Sequence, residues 1–239
     1  MHVEIRHDAK EAIRDAANLL IGWIREEGVW RLMVAGGNTP LPLYEEMARR
    51  DIDASGLHID VLDEYVGVPN TDPRTCTNLL RRTVAEAWRI PPDHFHGLSS
   101  EERDAEGTVI EHERRIEAAG GLDAIVLGLG KNGHLGFNEP GSVIDSVARL
   151  LDLDPISIEA NRAWFGGDYA PRQGVTVGLR TILGSRRVLL LAFGAAKADA
   201  VRAMVKGPST SSCPASFLQS HPRAHVFLDE AAAAKLQGR

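Results

Sequence analysis

Three short segments of this 239-residue chain carry side chains whose types and spacing could do chemistry. Residues 128–141 read Gly-Leu-Gly-Lys-Asn-Gly-His-Leu-Gly-Phe-Asn-Glu-Pro-Gly and crowd His134, Glu139, Asn132 and Asn138 among five glycines. A lone histidine in such a loop most often hydrogen-bonds backbone. A histidine and a glutamate held close in a glycine-rich turn suit an acid–base relay, with the carboxylate setting the tautomer and charge of the imidazole. Zinc is the other use of such residues, but no H-x-x-x-H and no cysteine pair accompanies His134 in this loop, so no metal is expected.

The second segment is Asp63-Glu64-Tyr65, directly after the apolar residues Val61 and Leu62. Two adjacent carboxylates at the end of a buried strand are costly unless they are paired or used. One of them could be a general base near a substrate carbon, or one could cap the next turn. The third segment, Gly36-Gly37-Asn38-Thr39-Pro40, falls between a strand pattern and a helix pattern. Its glycines let the backbone approach an anion, Thr39 offers a hydroxyl, and the helix start presents free amides. That is a phosphate cradle, set against the plainer reading of a tight turn without a ligand. The Lys-Ser/Thr ending of a nucleotide-binding P-loop and the third glycine of a dinucleotide turn are both missing, so neither ATP nor NAD is expected.

The elements that must position these residues follow from periodicity. Apolar Ala12, Ile13, Ala16, Ala17, Leu20, Trp23 and Ile24 form a helical stripe after a cap at Asp8, with Gly28 at the stop. Strands are predicted over 29–35, 58–62, 124–127, 175–179, 188–193 and 224–228, and further helices over 41–50, 78–88, 104–119, 195–206 and 230–236. Strands alternating with helices imply one doubly wound α/β domain over 1–239, with a mostly parallel sheet covered by helices on both faces. Its active edge is then the carboxyl end of the strands.

Composition narrows the function classes. A hydrophobic fraction of 44% and a charged fraction of 25% are those of a globular protein. The net charge of −6 argues against a nucleic-acid or anionic-membrane partner. Two cysteines, Cys76 and Cys213, give no disulfide framework, and with no signal peptide and no bilayer-spanning apolar run a cytoplasmic location is expected.

The loop at 128–141 resembles the signature of the glucosamine-6-phosphate deaminases, also called isomerases. Asp63-Glu64-Tyr65-Val66-Gly67-Val68-Pro69 is similar to their second motif, and Gly36 to Pro40 sits where their phosphate loop sits. The segment Pro214-Ala215-Ser216-Phe217-Leu218-Gln219-Ser220-His221-Pro222 is similar as well, so the resemblance runs nearly end to end. It implies a sugar-isomerase-like, Rossmann-type α/β fold shared with 6-phosphogluconolactonases, and no organic cofactor. The implied reaction turns a 2-amino-2-deoxyhexose 6-phosphate, of glucosamine or galactosamine, into a ketose 6-phosphate and ammonium. Carried over by position, Asp63 moves a proton between carbons 1 and 2, His134 opens the ring, and Glu139 works with it. Gly36, Gly37, Asn38, Thr39, Arg162 and Lys197 match or approximate the phosphate-binding set, Arg162 across a gap. The partner is a small phosphorylated sugar, and a homo-oligomer is compatible with the resemblance.

The sequence departs from the family pattern in three places. Asn132 stands where glucosamine-6-phosphate deaminases usually carry an aspartate, which resembles the galactosamine-6-phosphate branch. An asparagine there can hydrogen-bond the His134 ring but brings no charge. The turn from Ala35 to Pro40 is closer to that of the phosphogluconolactonases. Of the hexameric enzymes' allosteric basic residues, Arg149 is present but a lysine is replaced by Leu151, so the effector site is only partly present. A 6-phosphogluconolactonase is the alternative enzyme, although such a hydrolase needs no counterpart of Glu139. A sugar-phosphate sensor is the non-enzymatic alternative, disfavoured because Asp63, His134 and Glu139 are kept and no DNA-binding segment precedes the first helix.

Overall fold

Val-Leu-Leu-Leu-Ala at 188–192 contains no polar side chain, and such a strand has to be covered on both faces. In the computed structural model, which describes residues 1–50 and 52–236, every residue of that strand is buried. The single-domain expectation over 1–239 also takes in Asp51 and residues 237–239, which lie outside the described residues. The first half of the chain runs β1 (His2–Arg6), α1 (Ala9–Glu26), β2 (Arg31–Val34), α2 (Leu41–Arg49), β3 (His58–Val61), β4 (Asp63–Val66), α3 (Cys76–Leu80), β5 (Phe95–His96) and α4 (Ala105–Ala118). The second half runs β6 (Ala124–Gly128), β7 (Arg149–Asp152), α5 (Pro155–Trp164), β8 (Gln173–Thr176), α6 (Leu179–Leu183), β9 (Val188–Ala192), α7 (Ala198–Lys206), β10 (Ala224–Asp229) and α8 (Glu230–Ala233).

Seven strands form one sheet in the order β1-β10-β9-β6-β2-β3-β5, and every pairing in it is parallel. The expected α/β fold is therefore present, and helices cover the buried strands. The chain builds outward from β2 through β3 to β5, then returns to the other side of β2 with β6. That reversal leaves a crevice at the carboxyl ends of β2 and β6, where ligands of open α/β sheets bind. Among the described residues, no helix is long and apolar enough to cross a membrane.

Local chemistry explains the helix that starts the fold. The Asp8 carboxylate accepts the Glu11 N–H at 2.8 Å, satisfying a free donor of the first turn of α1. Ala12, Ala16, Ala17, Leu20 and Trp23 then fall on one buried face. Gly28, at φ +65°, follows the helix as the stop expected of it.

The sequence patterns miss several elements. The polar strand β1 has alternating half-exposed residues and owes its place to pairing with β10, the register matching Val3 to Val226. Residues 63–66 are not a turn but the strand β4, in a separate antiparallel sheet of order β4-β8-β7. The strand expected over 175–179 ends at Thr176, because Gly178 caps helix α6. The single helix expected over 78–88 is α3 followed by a wider-wound π turn at Arg81–Glu86.

At the outer edge, beside β5, four histidines gather, His112 buried and His58, His94 and His96 half-buried. His58 stacks on His94 with ring centroids 3.9 Å apart, and its Nδ1 lies 3.2 Å from His96 Nε2. Arg115 donates to Asp60 and to His112 Nδ1, both at 2.9 Å, and Arg31 lies 3.7 Å from the same carboxylate. Burial and the neighbouring arginines push His96 and His112 down to about 4, with Asp60 opposing at His112. The unfolded chain protonates these rings near 6.5, so it binds more protons than the native state between about pH 6.5 and 4. Stability should therefore fall as the pH drops through that window, by on the order of 2 kcal/mol from the buried His112 alone. Denaturant melts at a series of pH values should show this slope, and His112→Gln, which cannot protonate, should flatten it.

Candidate active site

A cavity of about 340 Å³ opens in the crevice between the carboxyl ends of β2 and β6. Four connections line it: residues 35–40 after β2, Asp63 and Tyr65 of β4, residues 128–137 after β6, and Lys197 after β9. Helix α5 closes the remaining side with Ile156, Ser157, Ala160, Asn161 and Trp164. The sequence-predicted Gly36, Gly37, Asn38, Thr39, Asp63, His134 and Lys197 thus line the same cavity. Glu139 and Asn132 stand behind His134.

Asp63 and Glu64 divide the two roles that their sequence leaves open. Glu64 accepts the backbone N–H groups of Cys76 at 2.9 Å and Thr77 at 2.7 Å, and of its neighbour Tyr65 at 2.8 Å. It caps the start of α3, where carboxylate charge is favoured. Asp63 receives no such bond from the described residues and faces the cavity. Burial pushes both carboxyls up to about 7, and the Glu64 charge adds to that at Asp63. Three N–H donors favour the charged form of Glu64 and none is given to Asp63, so Asp63 is the member of the pair that takes the proton near neutral pH.

The His134–Glu139 relay is formed. His134 Nδ1 lies 3.0 Å from Glu139 Oε2, and because a carboxylate only accepts, that nitrogen carries the proton. Nε2 is then the ring nitrogen left for the cavity. The imidazole lies flat over Gly130, where a Cβ would come within 2.2 Å of its Cδ2, so the closest approach needs glycine. Asn132 does not bond the imidazole ring as expected. Its Nδ2 donates to Glu139 Oε2 at 2.8 Å and its Oδ1 accepts the His134 backbone N–H at 3.3 Å, because a tight turn places it behind the carboxylate. Ser157, from α5, donates to Glu139 Oε1 at 2.5 Å. Burial alone would raise the Glu139 carboxyl, but His134, Ser157 and Asn132 together hold it below its ordinary value.

Opposite the relay, Gly37 at φ +93° turns the chain so that the 36–39 segment lines the cavity before α2. Lys197 donates to the Leu129 carbonyl at 2.6 Å, and burial, then the nearby charge of Lys131, lowers its pKa. Arg162 does not join this set. The face of α5 that lines the cavity repeats at 156, 157, 160, 161 and 164, and Arg162 falls between, on the exposed side. Arg149 lies outside the cavity too and donates to Asn138 at 3.0 Å and Ser142 at 2.9 Å.

Sequence patterns miss Ser157, Asn161, Trp164 and Lys131 on this wall. A signal for α5 was present. Asp154 caps it by accepting the Ile156 N–H at 2.8 Å, and Pro155 occupies the first helical position, where its missing N–H costs nothing.

Comparisons with known proteins agree with this geometry. The family model described as glucosamine-6-phosphate isomerases/6-phosphogluconolactonase matches residues 5–227. A glucosamine-6-phosphate deaminase from Streptomyces avermitilis is 42% identical, covering 99% of this chain and 93% of that protein. One from Shewanella loihica is 37% identical, covering 99% and 90%. A solved monomeric glucosamine-6-phosphate deaminase superimposes with a TM-score of 0.93 at 30% identity, over 98% of this chain and 100% of that one. A 6-phosphogluconolactonase from Thermotoga maritima, at 21% identity and a TM-score of 0.76 over 95% and 99%, shares the fold.

Two substitutions test the relay. Gly130→Ala should displace the imidazole and lower turnover about 100-fold, as a misplacement of about 1 Å does, while thermal melting shows a folded protein. Ser157→Ala removes a donor from Glu139, so its support of the imidazole should weaken and kcat should fall about tenfold in steady-state kinetics.

Proposed function

The chain belongs to the family of glucosamine-6-phosphate isomerases and 6-phosphogluconolactonases, and from that premise we infer that it is an enzyme that isomerises and deaminates a hexosamine 6-phosphate. The products are a ketose 6-phosphate and ammonium. One observation carries this reading: Glu139 is buried against His134 while Asp63 faces the same cavity, so two separate acid–base groups serve one bound sugar. A lactonase has no use for the glutamate.

In this reading the residues work as follows. The sugar phosphate seats on Gly36, Gly37, Asn38 and Thr39, with the Lys197 ammonium beside it, and orients the reacting carbons. His134 moves the proton between the anomeric hydroxyl and the ring oxygen, which opens the pyranose, and Glu139 supports the charge on the imidazole. Asp63 then takes the proton from carbon 2 and delivers it to carbon 1. The electron pair of the broken C2–H bond forms a C1=C2 double bond while O1 takes the proton that the carbon-2 ammonium group gives up. As carbon 1 receives the proton from Asp63, the nitrogen lone pair forms C2=N, an imine that water hydrolyses to the ketone and ammonium. The depth of Asp63 suits this step, since a base near neutral pKa both collects and returns a proton.

Glucosamine 6-phosphate is the substrate supported by the relatives' activity, and the Gly-Lys-Asn-Gly-His loop is the reason to compare its carbon-4 epimer, galactosamine 6-phosphate. The reading treats residues 1–239 as one cytoplasmic domain. Every group it uses comes from a single chain, as in the monomeric relative, so it requires no homo-oligomer.

The direct test is ammonium release from both amino-sugar phosphates beside hydrolysis of 6-phosphogluconolactone. Release from glucosamine 6-phosphate without lactone hydrolysis is the expected outcome. Lactone hydrolysis without ammonium would overturn it, and binding without turnover of either would favour a sensor. Asp63→Asn should lower kcat by about 100- to 10,000-fold with sugar-phosphate binding retained. In the native chain, kcat/KM should fall as the pH drops through about 7, where Asp63 becomes protonated.

A further inference from the structure

The phosphate subsite of the proposed reading has one cation fewer than the sequence resemblance implies, since Arg162 faces solvent. A phosphomonoester carries a charge of about −1.5 to −2 at neutral pH, which a single lysine only partly offsets. The cavity wall nevertheless contains a second basic side chain that no motif assigned. Lys131 lines it, in the Gly130-Lys131-Asn132-Gly133 turn.

Two further observations place Lys131 beside Lys197. Lys197 holds the carbonyl of Leu129, two residues before Lys131, at 2.6 Å. The charge of Lys131 also acts on the Lys197 ammonium and lowers its pKa, along with burial. Among the described residues, no carboxylate pairs with either lysine, and Asp63 is the sole acid on the cavity wall. Two neighbouring ammonium groups without a counter-ion repel each other, and an anion between them turns that repulsion into two attractions. Lys131 is exposed, as an ordinary solvated surface lysine is, and what sets it apart is its place on the cavity wall next to a second cation that no carboxylate pairs.

Resting on the reading above, we propose that Lys131 is a substrate-binding residue that supplies the second cation of the phosphate subsite, gripping the sugar's phosphate together with Lys197 and the Gly36–Thr39 turn. The assignment has a consequence for the chemistry. Lys131 precedes Asn132, which holds Glu139, and lies three residues before His134. The phosphate therefore rests on the same turn that carries the relay, and its binding holds that turn in place.

Steady-state kinetics with glucosamine 6-phosphate, and inhibition by inorganic phosphate, test this in Lys131→Gln, Lys131→Arg and Lys197→Gln. Loss of one charge-assisted contact should raise both KM and the phosphate inhibition constant of Lys131→Gln about tenfold, with a smaller change in kcat. Lys131→Arg should recover most of both constants, which a variant that merely disturbs folding would not predict. Native values in Lys131→Gln, or a loss confined to kcat, would overturn the proposal. Lys197→Gln separates the two levels of the argument. If it is impaired and Lys131→Gln is not, only the role of Lys131 falls. If inorganic phosphate fails to inhibit the native chain and Lys197→Gln behaves as native, the phosphate reading and this inference fall together.

Discussion

Consecutive residues on an extended strand point to opposite faces, and the placement of the Asp63–Glu64 pair depends on that rule. In a helix the two would diverge by only about 100°, too little to reach opposite neighbours, and in a mobile turn neither would have a fixed neighbour. The strand β4 sends Glu64 to the amides of α3 and leaves Asp63 toward the cavity. Holding β4 extended is the work of the small antiparallel sheet, through register pairs such as Asp63 with Thr176 and Tyr65 with Gly174. The same sheet supports the loop after β6: Asn138 donates to the Val177 carbonyl at 2.9 Å, just past β8. The positions of Asp63 and of the loop that holds His134 and Glu139 are therefore set by one piece of scaffold.

The relay depends on convergence. Glu139 receives donors from Asn132 and His134 within its own loop and from Ser157 on a helix. A buried carboxylate with fewer donors would take up a proton and stop supporting the imidazole. The loop is also pinned from outside, because Ala215 donates to the Gly133 carbonyl at 2.9 Å. That contact gives a physical role to the Pro-Ala-Ser segment, which in the sequence is only a matching string.

What was legible in the sequence was what short-range pattern encodes. The apolar strands β2, β6 and β9, the stripe of α1, and the chemistry-bearing loops after β2 and β6 all followed from residue type and period. What was not legible depends on partners distant in the chain. The strand β1 is polar and forms by pairing with β10 some 220 residues away. The extended conformation at Asp63 needs β8, and the helix α5 enters the site because the fold lays it across the cavity. Arg162 was misplaced for the same reason: alignment across a gap gives a position in sequence, whereas the helical period of α5 decides which side faces the sugar. Which of Asp63 and Glu64 caps the next element is left open by the sequence, and the position of α3 decides it.

The groups that meet in the cavity arrive on separate crossover connections: the turn after β2, the strand after β3, the loop after β6 and the turn after β9. Each is built on its own strand end, so one can diverge in evolution while the others stay fixed. A lineage that altered the β6 loop could exchange sugar isomerisation for ester hydrolysis and still grip the same 6-phosphate tail. The grouping of isomerases and lactonases under one family description is what inheritance of that division of labour would leave behind.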